Sequence, residues 1–324
     1  MKKLVRNAVA SLLVAGASLM SEAAGAADKV TFQLPWVLNS QFAGYIMAKE
    51  KGFYDEAGID LTINPGGPQV NATSFVASGA ATIGSVDSLV LIMANVKGMD
   101  LVAVGACFQD NPASIITLKE SGIAKPADLI GKTVAHSPAG TSWILSKAML
   151  MKAGVDLDKV NYVVSSSNEL LMNKNVDAKA GYTLNEALAI TLAGYPTSVM
   201  PTIDYGINAY TEVLFLQRKT IEQNPDMVRR FLAATVKGYK FAYDNPELTV
   251  ETLLRLNNQL DPNKEKQQLE MQRKYIFTGE ALTKGVCTIN PKSFEDTQNI
   301  MVSTGDLTTP IDTAKFVDPS FLPQ

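Results

Sequence analysis

The chain has little histidine and little cysteine: its 324 residues contain one histidine and two cysteines. A single imidazole cannot complete a histidine-based metal site, so we predict that His136 is a structural residue. Two cysteines cannot form a disulfide-dense scaffold. Cys107 and Cys287 could pair in an oxidising compartment or could remain two small buried thiols, and the sequence leaves both alternatives open.

The chain also lacks a strong charge of either sign, since 29 basic and 32 acidic residues leave a net charge of −3. A mildly acidic chain offers no basic surface for nucleic acid, so we predict no nucleic-acid partner. The sequence contains no nucleophile elbow, no phosphate-binding Walker loop and no cysteine–histidine pair with metal-ligand spacing. We therefore predict no catalytic residues, no metal and no cofactor.

Long apolar runs are missing except near the amino terminus. Residues 8–20 are apolar, follow three basic residues and are too few to span a membrane. Ala24, Gly25 and Ala26 fit the small-residue pattern of a signal-peptide cleavage site. Because no cysteine lies near this site, the sequence does not indicate a lipid anchor. We predict that residues 1–26 are a secretory signal cleaved near Ala26, and that the mature protein is exported and soluble.

Short apolar stretches alternate with helical patterns along most of the chain. This alternation predicts an α/β protein with mixed, mostly parallel sheets and flanking helices of ten to fifteen residues. A mature length of roughly 300 residues exceeds what one core usually supports, so two lobes are expected. The predicted strands are residues 30–34, 59–63, 82–85, 101–105, 114–117, 133–136, 162–164, 177–182, 198–200 and 213–216.

The carboxyl-terminal third changes to helical patterns. Asn224 and Asn245 each precede a proline and an acidic residue, which predicts two helices with asparagine as N-cap. Residues 263–277 predict another helix, and the chain beyond Cys287 is predicted to be rich in loops.

Residues 34–63 are the most informative segment. A strand end is followed by a turn with Trp36, Asn39 and Gln41, an amphipathic helix, the helix-ending Gly52 and a second, alternating strand. This segment resembles the opening of periplasmic solute-binding proteins of ABC importers. More narrowly, it is similar to the branch related to thiamine-pyrimidine synthases and to nitrate, sulfonate and taurine binders. The resemblance extends over about residues 29–275.

The resemblance implies a two-lobed periplasmic-binding-protein fold of type II with a ligand cleft between the lobes. Lobe one would comprise residues 28–112 and 212–324, and lobe two residues 113–211, with crossings near 111–118 and 205–216. It also implies a monomer in the periplasm that delivers a small molecule to the membrane subunits of its cognate ABC importer. A sensor or partner-docking protein could use the same fold, because fold does not fix function.

Candidate ligand-binding residues of lobe one lie where predicted strands end. The aromatic ring of Trp36 beside the side-chain amides of Asn39 and Gln41 suits a flat ligand with polar edges. Asn39 could instead cap its turn, Phe42 could belong to the core, Trp36 could pack between lobes and Asp87 could cap a helix. The candidates are Trp36, Asn39, Gln41, Phe42, Ser85, Asp87 and Phe108.

Lobe two repeats this layout after two further strands. Helix amides and hydroxyl groups near residue 140 could hold a carboxylate, sulfonate, phosphate or formyl oxygen, or the hydroxyls could only cap the helix. Glu186, which follows the second of these strands, could accept a hydrogen bond from an amino group of the ligand, or it could only favour the start of a helix. The candidates are Ser137, Thr141, Ser142, Trp143, Tyr182, Asn185 and Glu186.

The ligand itself stays open. The aromatic candidates favour a heteroaromatic nutrient such as a thiamine-pyrimidine precursor, and the alternative is a sulfonate, nitrate or carboxylate held by the hydroxyl groups. The rival class is the synthase itself, an enzyme that uses pyridoxal phosphate, a lysine, a donor histidine and a cysteine-rich run. At the matching positions this chain has Val86, Val90 and residues 206–211, which lack those groups.

Overall fold

The computed structural model describes residues 26–67, 69–137 and 140–322. Most of the predicted secretory signal therefore lies outside the described residues. Within these ranges, no helix is long and apolar enough to cross a membrane.

The described ranges contain ten strands, and each overlaps one of the ten predicted strands. The prediction succeeds because short apolar runs and, as in β2, alternating buried and exposed side chains are local signals, whereas β3, β4, β5 and β10 are buried at every residue. The strands are β1 (Asp28–Gln33), β2 (Ile59–Asn64), β3 (Ile83–Val86), β4 (Leu101–Phe108), β5 (Ala113–Leu118), β6 (Thr133–His136), β7 (Asn161–Val164), β8 (Ala178–Tyr182), β9 (Thr197–Pro201) and β10 (Thr211–Gln217).

The strands form two five-stranded sheets. Sheet A has the order β2-β1-β3-β10-β4, and sheet B has the order β7-β6-β8-β5-β9. In sheet A, β1 pairs in parallel with β2 and β3, whereas β10 runs antiparallel to β3 and β4. In sheet B, β6 pairs in parallel with β7 and β8, whereas β5 runs antiparallel to β8 and β9. The mixed α/β class is confirmed, with more antiparallel pairing than simple alternation predicts.

The connectivity passes from sheet A to sheet B between β4 and β5 and returns between β9 and β10. The division into two lobes follows this connectivity and stays a prediction.

Helices flank both sheets, and most of those between strands are shorter than the predicted ten to fifteen residues. The helices are α1 (Ala43–Glu50), α2 (Phe53–Glu56), α3 (Ala72–Ala77), α4 (Ser88–Val96), α5 (Thr141–Lys152), α6 (Glu169–Met172), α7 (Leu188–Leu192), α8 (Arg218–Gln223), α9 (Pro225–Asp244), α10 (Pro246–Leu256), α11 (Pro262–Ile276), α12 (Ala281–Lys284) and α13 (Pro291–Ser303). A π-helical turn, Thr183–Ala187, follows β8 directly.

The predicted helix starts have different outcomes. The Asn224 side chain accepts the N–H of Met227 and caps α9, as predicted. Asn245 is the N-cap residue of α10, as predicted, but its side chain makes no capping bond there and donates instead to the Phe241 carbonyl of the preceding helix. The prediction of a loop-rich tail is wrong, because α13 forms after Cys287 and buries Phe294 and Met301.

Close helix packing fixes the elements beside the site. A Cβ atom added to Gly238 of α9 would clash with the Gly44 carbonyl oxygen, so α1 and α9 approach to backbone contact.

Cys107 on β4 and Cys287 form a disulfide and are both fully buried. The bond ties the carboxyl-terminal segment to sheet A, and it decides the pairing that the sequence left open.

Candidate functional site

A cavity of about 560 Å³ lies at the ends of strands from both sheets. β1, β3, β6 and β8 contribute residues just at or after their carboxyl ends, and β10 contributes its first two residues. Ligands of α/β proteins bind characteristically at this edge of a sheet. The lining residues are Pro35, Trp36, Gln41, Gln69, Val70, Asn71, Ala72, Val86, Asp87, Val90, Ser137, Gly140, Thr141, Ser142, Ala180, Tyr182, Asn185, Glu186, Thr211 and Glu212.

Two carboxyl groups, Asp87 and Glu212, form what we call the acidic wall. The Glu212 carboxylate accepts hydrogen bonds from Ser85 Oγ at 2.6 Å and from Gln41 Nε2 at 2.6 Å. The Asp87 carboxylate accepts from the Tyr182 hydroxyl at 2.7 Å and from the Thr211 hydroxyl. Asp87 is the N-cap residue of α4, as the alternative proposed, but its side chain makes no capping bond there, so capping does not account for its position. Both side chains are therefore held by neighbours at the cavity surface.

Burial shifts the ionisation of both acids. The pKa of Glu212 is raised from 4.5 to about 7, chiefly because burial desolvates the carboxylate; the hydrogen bonds from Ser85 and Gln41 oppose this shift, and the charge of Asp87 adds a smaller upward contribution. Desolvation also raises the pKa of Asp87, against the hydrogen bonds from Tyr182 and Thr141. Perturbed carboxyl groups in a cavity are typical of functional sites.

Sequence reasoning missed Glu212. The residue is 1 % exposed and has a φ of 52°, a left-handed conformation that is uncommon for a residue other than glycine. It is the only charged residue of β10, whose remaining residues are all buried. A lone acid inside an otherwise buried strand is the signal that could have identified it.

Residues at the end of β6 and the start of α5 contribute Ser137, Thr141 and Ser142 to the cavity lining, and we call these three the hydroxyl wall. α5 begins here, and its N-cap residue is Gly140, which makes no side-chain capping bond. The alternative in which these hydroxyls only cap the helix therefore has no support at the N-cap position. The first turn of α5 directs N–H groups without intrahelical partners toward the cavity end of the helix.

The two tryptophans differ in their surroundings. Trp36 lines the cavity and is 41 % exposed, so it is not a core residue. Trp143 stacks on His136 with ring centroids 4.3 Å apart and contacts Tyr162 at 4.9 Å. The rotation of α5 thus turns Trp143 toward sheet B and away from the cavity.

Five predicted residues do not line the cavity. Asn39 accepts the Gln41 N–H and caps its turn, as the alternative proposed. Phe42 and Phe108 are buried in the core of sheet A, and Ser85 lies behind Glu212 with its side chain fully buried. Trp143 packs as described above. The predicted residues that do line it are Trp36, Gln41, Asp87, Ser137, Thr141, Ser142, Tyr182, Asn185 and Glu186.

Hydrogen bonds join the end of β8 to residues beside sheet A. Besides the Tyr182–Asp87 bond, Asn185 Nδ2 donates to Gln41 Oε1 at 3.4 Å, and Gln268 Nε2 donates to Asn185 Oδ1 at 2.9 Å. The two sides of the cavity are therefore connected through polar side chains.

Glu186 has a local partner as well as a cavity position. Its carboxylate accepts the Tyr182 backbone N–H at 2.8 Å, which agrees with the alternative of an acid that favours a helix start. In the part of the chain that the structure describes, no group of three or more histidine, cysteine, aspartate or glutamate side chains could hold a metal ion.

Comparison with known proteins relates the chain to binding proteins and to synthases. The family described as "NMT1/THI5 like" matches residues 39–249, well over half of the chain. The formylaminopyrimidine-binding protein of Halalkalibacterium halodurans is 26% identical over 238 residues, which are 71% of this chain and 71% of that protein. The 4-amino-5-hydroxymethyl-2-methylpyrimidine phosphate synthase of Legionella pneumophila is 27% identical over 241 residues, 72% of this chain and 75% of that protein.

A solved structure supports the fold. The periplasmic aliphatic sulphonate binding protein SsuA from Escherichia coli matches with a TM-score of 0.72 and 19% identity, and the match covers 90% of this chain and 91% of that one. The resemblance drawn from residues 34–63 is thereby confirmed at the level of the fold and the branch.

Proposed function

This chain belongs to the NMT1/THI5-like family, and we propose that it is the periplasmic solute-binding component of an ABC importer. Its ligand would be a flat heteroaromatic compound that carries an amino group, of the aminopyrimidine class. The observation that carries this proposal is the acidic wall, the buried carboxyl group of Glu212 and the half-buried one of Asp87, which line one cavity together with the exposed ring of Trp36.

The acidic wall offers acceptors and no cation. A carboxylate accepts hydrogen bonds from an exocyclic amino group or from a protonated ring nitrogen. Such charge-assisted bonds are about twice as strong as bonds between neutral groups. Trp36 can stack on the ring face, and the hydroxyl wall can donate to a polar substituent such as a formyl oxygen.

An anionic ligand fits this cavity less well. A sulfonate, nitrate or carboxylate would be attracted by the hydroxyl wall and by the start of α5. It would also approach Asp87 and Glu212, and repulsion between like charges grows where water is excluded. No lysine or arginine lines the described cavity to offset that repulsion.

The synthase alternative is disfavoured by the cavity lining. Val86 and Val90 both line the cavity, and the resemblance places the lysine and the donor histidine of the synthases at these positions. Valine can neither form a Schiff base nor donate an imidazole. The relative from Legionella pneumophila is named a synthase, so a direct test of turnover is needed.

The decisive experiment is calorimetric titration of the purified protein. Any bound ligand is first removed by unfolding and refolding the protein without reductant, so that the disulfide between Cys107 and Cys287 stays intact. The probes are 4-amino-5-aminomethyl-2-methylpyrimidine, its N-formyl derivative, the 4-oxo analogue of that derivative, and taurine. We expect binding of the first two, at least tenfold weaker binding of the 4-oxo analogue, and no measurable binding of taurine. At a hundredfold excess over the dissociation constant, binding stabilises the fold by about 2.7 kcal/mol.

Two results would overturn the proposal. Tight binding of taurine without binding of the pyrimidines would assign the protein to the anion binders. Conversion of added pyridoxal phosphate to a pyrimidine product would assign it to the synthases.

We further propose that the chain is a monomer whose two lobes, residues 28–112 with 212–324 and residues 113–211, close around the ligand. The crossings near 111–118 and 205–216 would be the hinges. Small-angle scattering should show a smaller radius of gyration with saturating N-formyl pyrimidine, and an unchanged radius would contradict closure.

A further inference from the structure

A second cavity of about 230 Å³ adjoins the first. Asn71, Val90 and Thr141 line both cavities, so these side chains border both spaces. The volume is several times the share of one water molecule in the liquid, about 30 Å³. We call this space the annex.

The annex differs from the main cavity in chemistry. Its own lining is mainly apolar and comes from Leu89, Met93, Ala94, Met99 and Ile144. The charged residue in its lining, Lys97, is exposed to solvent. Methionine side chains adapt to ligands of varied shape, because they are unbranched and polarisable.

The annex begins beside the acidic wall. Val90 lies about one helical turn beyond Asp87 on α4, and Thr141 lines both the annex and the main cavity, whose lining includes Asp87. A substituent next to the amino edge of a ring that meets Asp87 would therefore lie close to Val90 and Thr141, the side chains that border the annex.

We propose that the annex receives an apolar arm of the ligand, so that the preferred ligand is an aminopyrimidine-type ring bearing a short acyl or alkyl chain and not the bare ring. This inference rests on the function proposed above, because the ring must first be held in the main cavity. It adds the substituent to the ligand class, and the annex lining then becomes a determinant of specificity.

A homologous series of ligands tests the inference. The probes are the N-formyl, N-butyryl and N-hexanoyl derivatives of 4-amino-5-aminomethyl-2-methylpyrimidine, titrated calorimetrically into the full-length mature chain. Each methylene that enters an apolar space adds up to about fourfold in affinity. We expect the N-butyryl compound to bind at least tenfold more tightly than the N-formyl compound.

Two variants locate the effect. Met93→Trp fills the annex and should abolish the affinity ratio between the butyryl and formyl compounds. Met151→Trp, at an exposed position of α5 that lines neither cavity, should keep the wild-type ratio. If Met93→Trp does not fold, as judged from its thermal melting, Met99→Phe replaces it with the same expectation.

The outcomes separate the two proposals. Equal or falling affinity along the series in the wild-type protein would overturn the annex inference and leave the proposed function standing. Binding of the long-chain compounds without binding of the parent amine would support the annex and contradict the bare-ring anchor. Binding of no compound in the series would overturn both.

Discussion

The two walls of the cavity use opposite chemistry. The acidic wall is built from Glu212 on β10 and from Asp87 just after β3, and both carboxyl groups are already held by protein donors. The hydroxyl wall is built at the start of α5 from neutral groups, beside backbone N–H groups of the first helical turn. One wall is thus an acceptor surface and the other a donor surface.

This difference limits what the cavity can hold. A ligand that satisfies both walls offers donors to the carboxyl groups and an acceptor to the hydroxyl groups, and the proposed amino-substituted ring with a carbonyl-bearing arm meets both requirements. A simple oxyanion satisfies only the hydroxyl wall. The predictions below therefore disturb one wall at a time.

The largest effect is expected for Glu212→Gln, measured on the stability of the free protein. Because the pKa of Glu212 is raised from 4.5 to about 7, the folded state keeps a proton that the unfolded state has released between these pH values. The contribution of this bound proton to the free energy of unfolding is fully present below pH 4.5 and is lost as the pH rises through 7. At 1.36 kcal/mol for each pH unit, the loss is about 3 kcal/mol by pH 8.

Glutamine cannot ionise, so the variant should lack this decline. Urea unfolding at pH 5 and pH 8 should show a wild-type loss that Glu212→Gln does not share. Glu251→Gln, an exposed substitution on α10, serves as the matched control and should follow the wild type. Parallel profiles for the wild type and Glu212→Gln would mean that Glu212 is not the buried titrating group.

Asp87→Asn should have the next largest effect, on affinity. Asparagine keeps the size of the side chain and an oxygen that Tyr182 and Thr211 can bond, but it removes the charge. A hydrogen bond to a charged group contributes about 1.5–3 kcal/mol, so aminopyrimidine affinity should fall roughly 10- to 100-fold. Calorimetry at pH 7.5 measures this directly. Stronger binding of taurine by the variant, with unchanged pyrimidine affinity, would show that the acidic wall only repels anions.

Trp36→Ala should weaken pyrimidine binding by roughly 1–3 kcal/mol, the range for loss of one stacked base-like ring. Because Trp36 is largely exposed at the cavity, folding should be little affected. Binding should quench tryptophan fluorescence in the wild type, and the quench should shrink in the variant. Loss of folding with intact affinity in the folded fraction would remove the main support for a flat ligand.

Much of the fold could be read from the sequence, because strand periodicity and helix punctuation are local. The same local signals located strand ends at Trp36, Asp87, Ser137 and Tyr182, all of which line the cavity. What the sequence could not provide is which face of each element turns inward. Phe42 and Phe108 lie beside the site in sequence but point into the core of sheet A.

The missed residue illustrates the same limit. Glu212 reaches the cavity because β10 joins sheet A between β3 and β4, a pairing between residues more than a hundred positions apart in the chain. Its partners, Ser85 and Gln41, come from two other elements. Such a cluster exists only in the folded chain, so local patterns carry no trace of it beyond one acid in a buried strand.

The smallest effect is expected on the hydroxyl wall, for Ser142→Ala. A neutral hydrogen bond contributes only about 0.5–1.5 kcal/mol net, and the backbone N–H groups of α5 remain after the substitution. Affinity for the N-formyl pyrimidine should fall by no more than about tenfold. Affinity for the parent amine, which has no carbonyl to accept the bond, should stay within twofold of the wild type.

The difference in affinity between the N-formyl pyrimidine and the parent amine thus reports on the hydroxyl wall alone. Comparison with Asp87→Asn then shows which wall contributes more to affinity. If the acidic wall dominates recognition, Asp87→Asn weakens both compounds and Ser142→Ala weakens only the formyl compound. If Ser142→Ala instead costs more than Asp87→Asn and weakens both, the ligand is held chiefly through an oxygen at the start of α5. A small oxyanion would then be the better candidate, because the start of α5 would be its main contact and the carboxyl groups would not contribute to affinity.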